Sequence, residues 1–415
     1  MKMARDMEEV YIIDAARSAT GKFLGALSHF TAPKLAAEVM KGLVSRSNID
    51  HGSIDEIIVG NVLSAGLGQN PAKQVAVYSG MPYTIPAFSV NKVCASGMKA
   101  VALGAEAISS GNDSIAVAGG MESMSNAPHT IKGLRKFKKI GNMSLKELDS
   151  SISEAKADSN SIEVIDEMVN GGLWDCYANL HMGSLAEKIK EKYDISREEQ
   201  DMFAFDSHRK AAAADDSGKF AKEIIPITLS DGKNFKADEG IRRDTSMEKL
   251  ASLKPAFHDK GTVTAGNASQ LSDGASFILL ASGSKVKELG LKPIAKIESY
   301  ASSGIDPDWY GIAPVSAMNK ALKNAGYSLE DMDLIEINEA FCVQTLGVAK
   351  ELGIDLGKLN VNGGATALGH PIGASGARIL TTLAFALVDR KKDLGIASLC
   401  HGGGGAMAMV IRRIG

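Results

Sequence analysis

Glu56-Ile57-Ile58-Val59-Gly60-Asn61 is an apolar run that ends on glycine and asparagine, and Leu334-Ile335-Glu336-Ile337-Asn338 repeats it far down the chain. Both read as buried strands, since a short apolar run bounded by turn formers is too brief for a core helix. Working outward, Val10-Tyr11-Ile12-Ile13 precedes the first run and Ala295-Lys296-Ile297-Glu298 the second. A helical stretch separates the members of each pair, over residues 34–45 and 315–325. Each run is then followed by a Gly-marked turn into a helix, at Cys94-Ala95-Ser96-Gly97 and at Gly373-Ala374-Ser375-Gly376. Each half closes on an apolar strand entering glycines, Ile115-Ala116-Val117-Ala118-Gly119-Gly120 and Ile396-Ala397-Ser398-Leu399-Cys400-His401-Gly402. The chain reads as an internal duplication of alternating strand and helix. That pattern predicts an α/β protein with mostly parallel sheets covered by helices on both faces.

With 415 residues the chain exceeds one ordinary core, so two or three domains are expected. Between the halves, roughly residues 123–270, it turns rich in Lys, Glu, Asp and Ser, with helical stretches at 182–193 and 197–214. A hydrophobic share of 45% with 23% charged residues fits a soluble globular protein. No apolar run reaches the length that a membrane span needs. The net charge of −3 carries no nucleic-acid or membrane signature. Four cysteines without paired spacing argue against a disulfide framework and for a reducing compartment. Residues 1–9 mix Lys2 and Arg5 with Asp6, Glu8 and Glu9 and lack an apolar core, unlike a secretory signal. A cytoplasmic location is the expectation.

Three small-residue segments carry the chemistry. Cys94, in Asn91-Lys92-Val93-Cys94-Ala95-Ser96-Gly97-Met98, sits before a helix whose unpaired N–H groups favour a thiolate. His370, in Gly369-His370-Pro371-Ile372-Gly373, lies on a rigid turn at a strand end, where a neutral imidazole can accept a proton. Cys400 stands one residue before the four glycines 402–405. Alone, a cysteine is more often a small buried hydrophobe and a histidine more often structural. Together they supply a thiol nucleophile, its base and a second thiol for proton transfer.

With Asn338-Glu339-Ala340-Phe341 as a fourth segment, the chain resembles the thiolases, and it is most similar to their short-chain, acetoacetyl-CoA branch. The resemblance runs from Tyr11-Ile12-Ile13-Asp14-Ala15-Ala16-Arg17 to the Gly-rich end. It implies the thiolase fold, two βα halves in five layers (αβαβα) with an inserted loop domain. The N-terminal half would span 1–123, with 271–292 returning to it. The loop domain would span 124–270 and the C-terminal half 293–415.

The implied activity joins two acetyl-CoA into acetoacetyl-CoA and CoA, or reverses this by thiolysis, through an acetyl-cysteine. CoA is then a substrate; no cofactor, metal, nucleic acid or membrane partner is implied, and a homotetramer (dimer of dimers) is. The resemblance makes Cys94 the nucleophile, His370 its base and Cys400 the group that moves the α-proton. Backbone N–H groups of Cys94 and Gly402 would form one oxyanion hole, and a water on Asn338 together with His370 the other. His181, Met182, Arg242, Phe257 and Ser269 match CoA-contacting positions. Ala340 and Phe341 line the same channel, and Tyr310 matches a bulky residue bordering the acyl pocket.

The chain departs from the family in two places. The stretch 132–170 is longer than expected and holds a basic run, Lys132, Arg135, Lys136, Lys138 and Lys139. That run reads either as a solvated face or as an attraction for CoA phosphates. His401, between Cys400 and Gly402, is unusual and is expected to point away from the site. Cys176 and Cys342 lack such surroundings and read as packing residues.

Rival readings are weaker. Four glycines match a loose dinucleotide pattern trivially, without the acidic residue that should follow. Paired zinc-ligand spacing and a Gly-x-Ser-x-Gly elbow are both missing. A ketoacyl-carrier-protein synthase would have no second catalytic thiol. A broad-range degradative 3-ketoacyl-CoA thiolase and a non-catalytic acyl-binding relative stay open as alternatives.

Overall fold

The structure is a computed structural model and describes residues 7–134, 141–154 and 162–415. The first half runs β1 (Val10–Arg17), α1 (Ala32–Ser47), β2 (Glu56–Gly60), α2 (Pro71–Tyr78), β3 (Ala87–Val90), α3 (Ser96–Ser109) and β4 (Ile115–Ser123). A polar region carries α4 (Met182–Tyr193) and α5 (Arg197–Asp216) before β5 (Ser272–Ser282) rejoins the first half. The second half runs β6 (Ala295–Gly304), α6 (Ala313–Ala325), β7 (Leu334–Ile337), α7 (Cys342–Leu352), α8 (Ile372–Arg390), β8 (Leu394–His401) and β9 (Gly405–Arg413).

The duplication is present strand for strand. The first half orders its sheet β3-β2-β4-β5-β1 and the second β7-β8-β9-β6. A parallel bridge between Ile335 and Leu359 stands where β3 pairs with β2 in the first half. The sheets meet where Tyr11 and Ile12 of β1 pair with Lys296 and Ala295 of β6.

The sheets are mixed rather than mostly parallel. β2 runs parallel to β3 and β4, and β7 parallel to β8, but β5 and β9 are antiparallel to their neighbours on both sides. Between β8 and β9 the chain reverses at Gly403 and Gly404, whose φ values of 80° and 76° suit glycine. So tight a turn can only make an antiparallel pair; a parallel one needs a crossover.

Three apolar cores separate five layers. One joins α1 and α2 to the first sheet, through Leu35, Val39, Leu43 and Val75. Another joins α6 and α7 to the second sheet, through Ala317, Met318, Leu322 and Val348. Between the sheets α3 and α8 pack together, Met98, Val101 and Ala105 against Ile379, Leu380 and Leu383. A helix covered on every side reads apolar all round. Thus α8, against the expectation that no run is long enough, is long and apolar enough for a membrane span, yet 83% of that window is buried inside the protein.

The polar region is anchored from β1. Arg17 is fully buried, with Nη1 2.7 Å from Asp238 and Nη2 3.1 Å from Glu223. Removing one partner of such a buried pair would strand a charge. Farther along, His129–Lys132 and Glu163–Asp166 form an antiparallel hairpin, with a helix at Leu145–Glu154 between them. Arg135, Lys136, Lys138 and Lys139 of the basic run lie outside the described residues.

Candidate active site

The sharp turn into α3 is built by its own polar atoms. Ser96 Oγ accepts the Lys92 N–H at 2.8 Å and donates to the Val93 carbonyl at 2.6 Å, while Asn91 Oδ1 accepts the Val93 N–H at 2.9 Å. Val93 is forced to φ 47°, the left-handed region that a β-branched residue avoids. Strain of this kind persists where surrounding contacts over-determine it, commonly beside reacting groups.

Cys94 follows directly and is half-buried as a residue, but its sulfur is deep enough for burial to dominate. Burial pushes the thiol up to about 12; hydrogen bonds from the Cys94 and Gly402 N–H groups pull it down, and the charge of Glu122 pushes it up. Burial thus works against the thiolate that the helix N-terminus favours.

His370 is buried, and its ring orientation is fixed. Nδ1 lies 2.6 Å from Ser375 Oγ, and that hydroxyl donates its own hydrogen to the Pro371 carbonyl at 2.9 Å. Nδ1 therefore carries the ring hydrogen and Nε2 the free lone pair. Burial, aided by the Arg378 charge, pushes the imidazole down to about 3, so it rests neutral. Asn338 Nδ2 approaches both ring nitrogens at 3.4 Å, and Asn338 Oδ1 is buried with no protein partner. A buried acceptor of this sort calls for a water donor.

Cys400, next to last in β8, lies in an apolar cluster with Met182, Tyr310, Ala340 and Phe341. Burial and the nearby Cys94 hold its thiol well above the usual range. Tyr310 is buried, its hydroxyl donates to the Met182 carbonyl at 3.0 Å, and the charges of Cys400 and Cys94 both act on it. Gly402 faces Val93 and Met182; a Cβ there would meet them at 3.7 and 3.9 Å, so this position supplies an N–H rather than missing bulk.

A row of rings leads into this cluster. His181 stacks on Phe257 with centroids 4.6 Å apart, and Phe257 meets Phe341 edge-on at 6.1 Å. His181 also caps α4, its Nδ1 accepting the Gly183 N–H at 3.0 Å. Gly183 must lack a side chain, because a Cβ would lie 2.2 Å from the Phe257 ring. The Ser269 N–H donates to the Ala340 carbonyl at 3.0 Å, binding that segment to the Asn338 motif.

Arg242 stands apart from this cluster: it is exposed, its N–H donates to His208 Nδ1 at 3.1 Å, and Arg209 and Arg243 share its shallow cleft. The His401 ring lies against Gly405, with Nδ1 2.7 Å from the Gly402 carbonyl, and Cys342 is buried beside Thr366. Cys176 is exposed rather than packed. Two groups beside the site escaped the reading of the sequence. Ser375 lay inside a quoted motif, and Glu122 could have been noticed as a charge within an otherwise apolar strand.

Models of the family match almost the whole chain: "Thiolase, N-terminal domain" over residues 10–284 and "Thiolase, C-terminal domain" over residues 291–413. The chain belongs to the thiolase family. It is 48% identical over 411 residues to a Pseudomonas aeruginosa protein named acetyl-CoA acetyltransferase, covering 98% of this chain and 100% of that one. A Staphylococcus epidermidis relative, 44% identical over 98% of this chain and 99% of its own, is named probable acetyl-CoA acyltransferase. The crystal structure of the Bacillus anthracis acetyl-CoA acetyltransferase superposes with a TM-score of 0.91 at 40% identity, covering 99% of this chain and 100% of that one.

Proposed function

We propose that this thiolase is an acetyl-CoA acetyltransferase, forming acetoacetyl-CoA and CoA from two acetyl-CoA and catalysing the reverse thiolysis. The observation that carries this reading is the approach of the two catalytic segments: Gly402, two residues past Cys400, lies against Val93, the residue just before Cys94. A nucleophilic thiol, a second thiol and a preorganised donor thus share one centre.

In the forward direction His370 Nε2 takes the Cys94 proton as the sulfur attacks the thioester carbon, and the Cys94 and Gly402 N–H groups receive the oxyanion. The C–S bond to CoA breaks, and the departing sulfur takes the proton of Cys400. Acetyl-Cys94, imidazolium and a Cys400 thiolate remain. That thiolate removes the α-proton of the second acetyl-CoA, and the enolate oxygen is held by His370 and a water on Asn338. The α-carbon attacks the acetyl group; Cys94 leaves and recovers its proton from His370. Charge and protons balance over the cycle, and the groups present require no cofactor.

CoA lies along His181, Met182, Phe257, Ser269, Ala340 and Phe341 in this account, with Arg242 outermost at the nucleotide end. Residues 124–270 form the loop domain between halves 1–123 (with 271–292) and 293–415. The protein acts in the cytoplasm as a dimer of dimers. Tyr310 closes the acyl pocket beside Cys400, which favours short substrates over those of a broad-range enzyme. Thiolysis of 3-ketoacyl-CoA esters of increasing length tests this directly: four-carbon acetoacetyl-CoA should be cleaved fastest, and equal rates on eight-carbon esters would assign the broad-range activity instead.

A further inference from the structure

The duplication places a second, altered copy of the catalytic centre in the first half. In the second half Ile337 pairs with Ser398; Asn338 follows the first and Cys400 lies two residues past the other. In the first half Gly60 pairs with Gly120; Asn61 follows the first and Glu122 lies two residues past the other. Residues two apart on a strand share a face, so Asn61 and Glu122 are the positional twins of Asn338 and Cys400. The asparagines even share a peculiarity: Oδ1 of each is buried without a protein partner.

Where the second half holds a thiol, the first holds a fully buried carboxylate with four donors on it. Glu122 Oε1 accepts from Asn61 Nδ2 at 2.7 Å and the Leu63 N–H at 3.1 Å, and Oε2 from the Val62 N–H at 3.1 Å and the Gly373 N–H at 2.9 Å. Gly373 opens the helix that follows His370, and a Cβ there would lie 2.8 Å from Oε2. Val62 and Leu63 pack with Ile372 in a cluster that Cys94 also touches. One carboxylate thereby joins the wall beside the nucleophile to the turn that carries the base.

We propose that Glu122 is the positioning residue that sets the distance between Cys94 and His370, and hence the rate of acetyl transfer. It touches neither substrate nor reacting atoms, and acts through Gly373 and the 61–63 loop. The proposal rests on the reading of Cys94 as nucleophile and His370 as base. Glu122→Gln keeps the shape but leaves one acceptor oxygen where there were two, so one donor pair, Asn61 with Leu63 or Val62 with Gly373, loses its acceptor. The loop or the turn then relaxes, and a shift of about an ångström can cost up to roughly 100-fold in rate.

The test is single-turnover acetylation of Cys94 by acetyl-CoA, read by mass, with KM measured alongside. E122Q should acetylate at least about tenfold more slowly with KM for acetyl-CoA little changed. A second readout separates positioning from general damage. Burial pushes the Glu122 carboxyl up to about 7, so its charge, the smallest influence on Cys94, opposes thiolate formation fully only above that value. There iodoacetamide should alkylate Cys94 faster in E122Q than in the wild type while acetyl transfer is slower. Asp273 is the other charge acting on Glu122, and Cys400 and Tyr310 are the groups coupled to Cys94; none of these is altered. Wild-type acetylation by folded E122Q overturns the proposal, as does a lower rate with an unmoved alkylation profile. Should E122Q fail to fold, Asn61→Ser decides: it removes one of the four bonds, and wild-type acetylation there overturns the proposal equally. A wild-type protein that never acetylates at Cys94 would instead overturn the proposed function itself.

Discussion

The hydroxyl of Ser375 holds the ring of His370: Oγ lies 2.6 Å from Nδ1 and passes its own hydrogen to the Pro371 carbonyl. This fixes which ring nitrogen is basic. Ser375→Ala should leave the fold intact and slow both half-reactions by about tenfold, the scale of one lost hydrogen bond of roughly 1.4 kcal/mol. Stopped-flow measurement of acetylation and of condensation checks it, and an effect on one half-reaction alone would count against a shared base.

The two thiols should fail differently. Cys94→Ala should abolish condensation and thiolysis together and leave no labelled enzyme. Cys400→Ala should still become acetylated, more slowly because its proton no longer meets the departing CoA, while condensation drops by orders of magnitude, because the α-proton step is lost. Asn338→Ala should behave like a milder Cys400 variant, since its water serves the enolate. Equal loss of acetylation in all three would contradict the division of roles.

The resting state should show in the pH profile of Cys94 alkylation. A thiol pushed up to about 12 is almost wholly protonated at neutral pH, and its thiolate fraction grows as pH rises toward that value. His370, pushed down to about 3, does not titrate between roughly pH 5 and 8. Iodoacetamide alkylation should therefore climb through that range without levelling. A plateau near neutrality would reveal a preformed thiolate.

Tyr310 should govern both substrate length and stability. Tyr310→Phe loses only the bond to the Met182 carbonyl and should cost about 1 kcal/mol. Tyr310→Ala opens a cavity beside Cys400 at about 3–5 kcal/mol and should raise the relative rate on six-carbon esters. Chemical denaturation and a chain-length series measure the two effects.

Much of the fold was legible because the informative strands are buried on both faces. β4 is buried along its whole length and opens as an apolar run entering glycines, whereas β5, equally buried, opens on Ser272-Asp273-Gly274 and was not legible as a strand. Strand direction was not legible: it depends on whether a hairpin or a crossover follows, and the Gly403–Gly404 reversal looked like a glycine run of unknown shape. The site segments were legible through small residues around Cys94, His370 and Cys400. Burial was not, and at Cys94 it opposes the ionisation that the helix end favours. Glu122 escaped for a different reason, since the residue it holds, Gly373, lies 251 positions away. Cys176 shows the converse error, a cysteine taken for packing that the fold leaves exposed.

Covalent labelling tests the central claim most directly. The protein is mixed with acetyl-CoA alone, quenched in acid within one turnover and digested, and the peptide carrying the added acetyl mass is sequenced. The account predicts one acetyl group per chain, on Cys94, with stoichiometric release of CoA. Acetyl on Cys400 or another residue, or CoA release with no acetylated peptide, would contradict it.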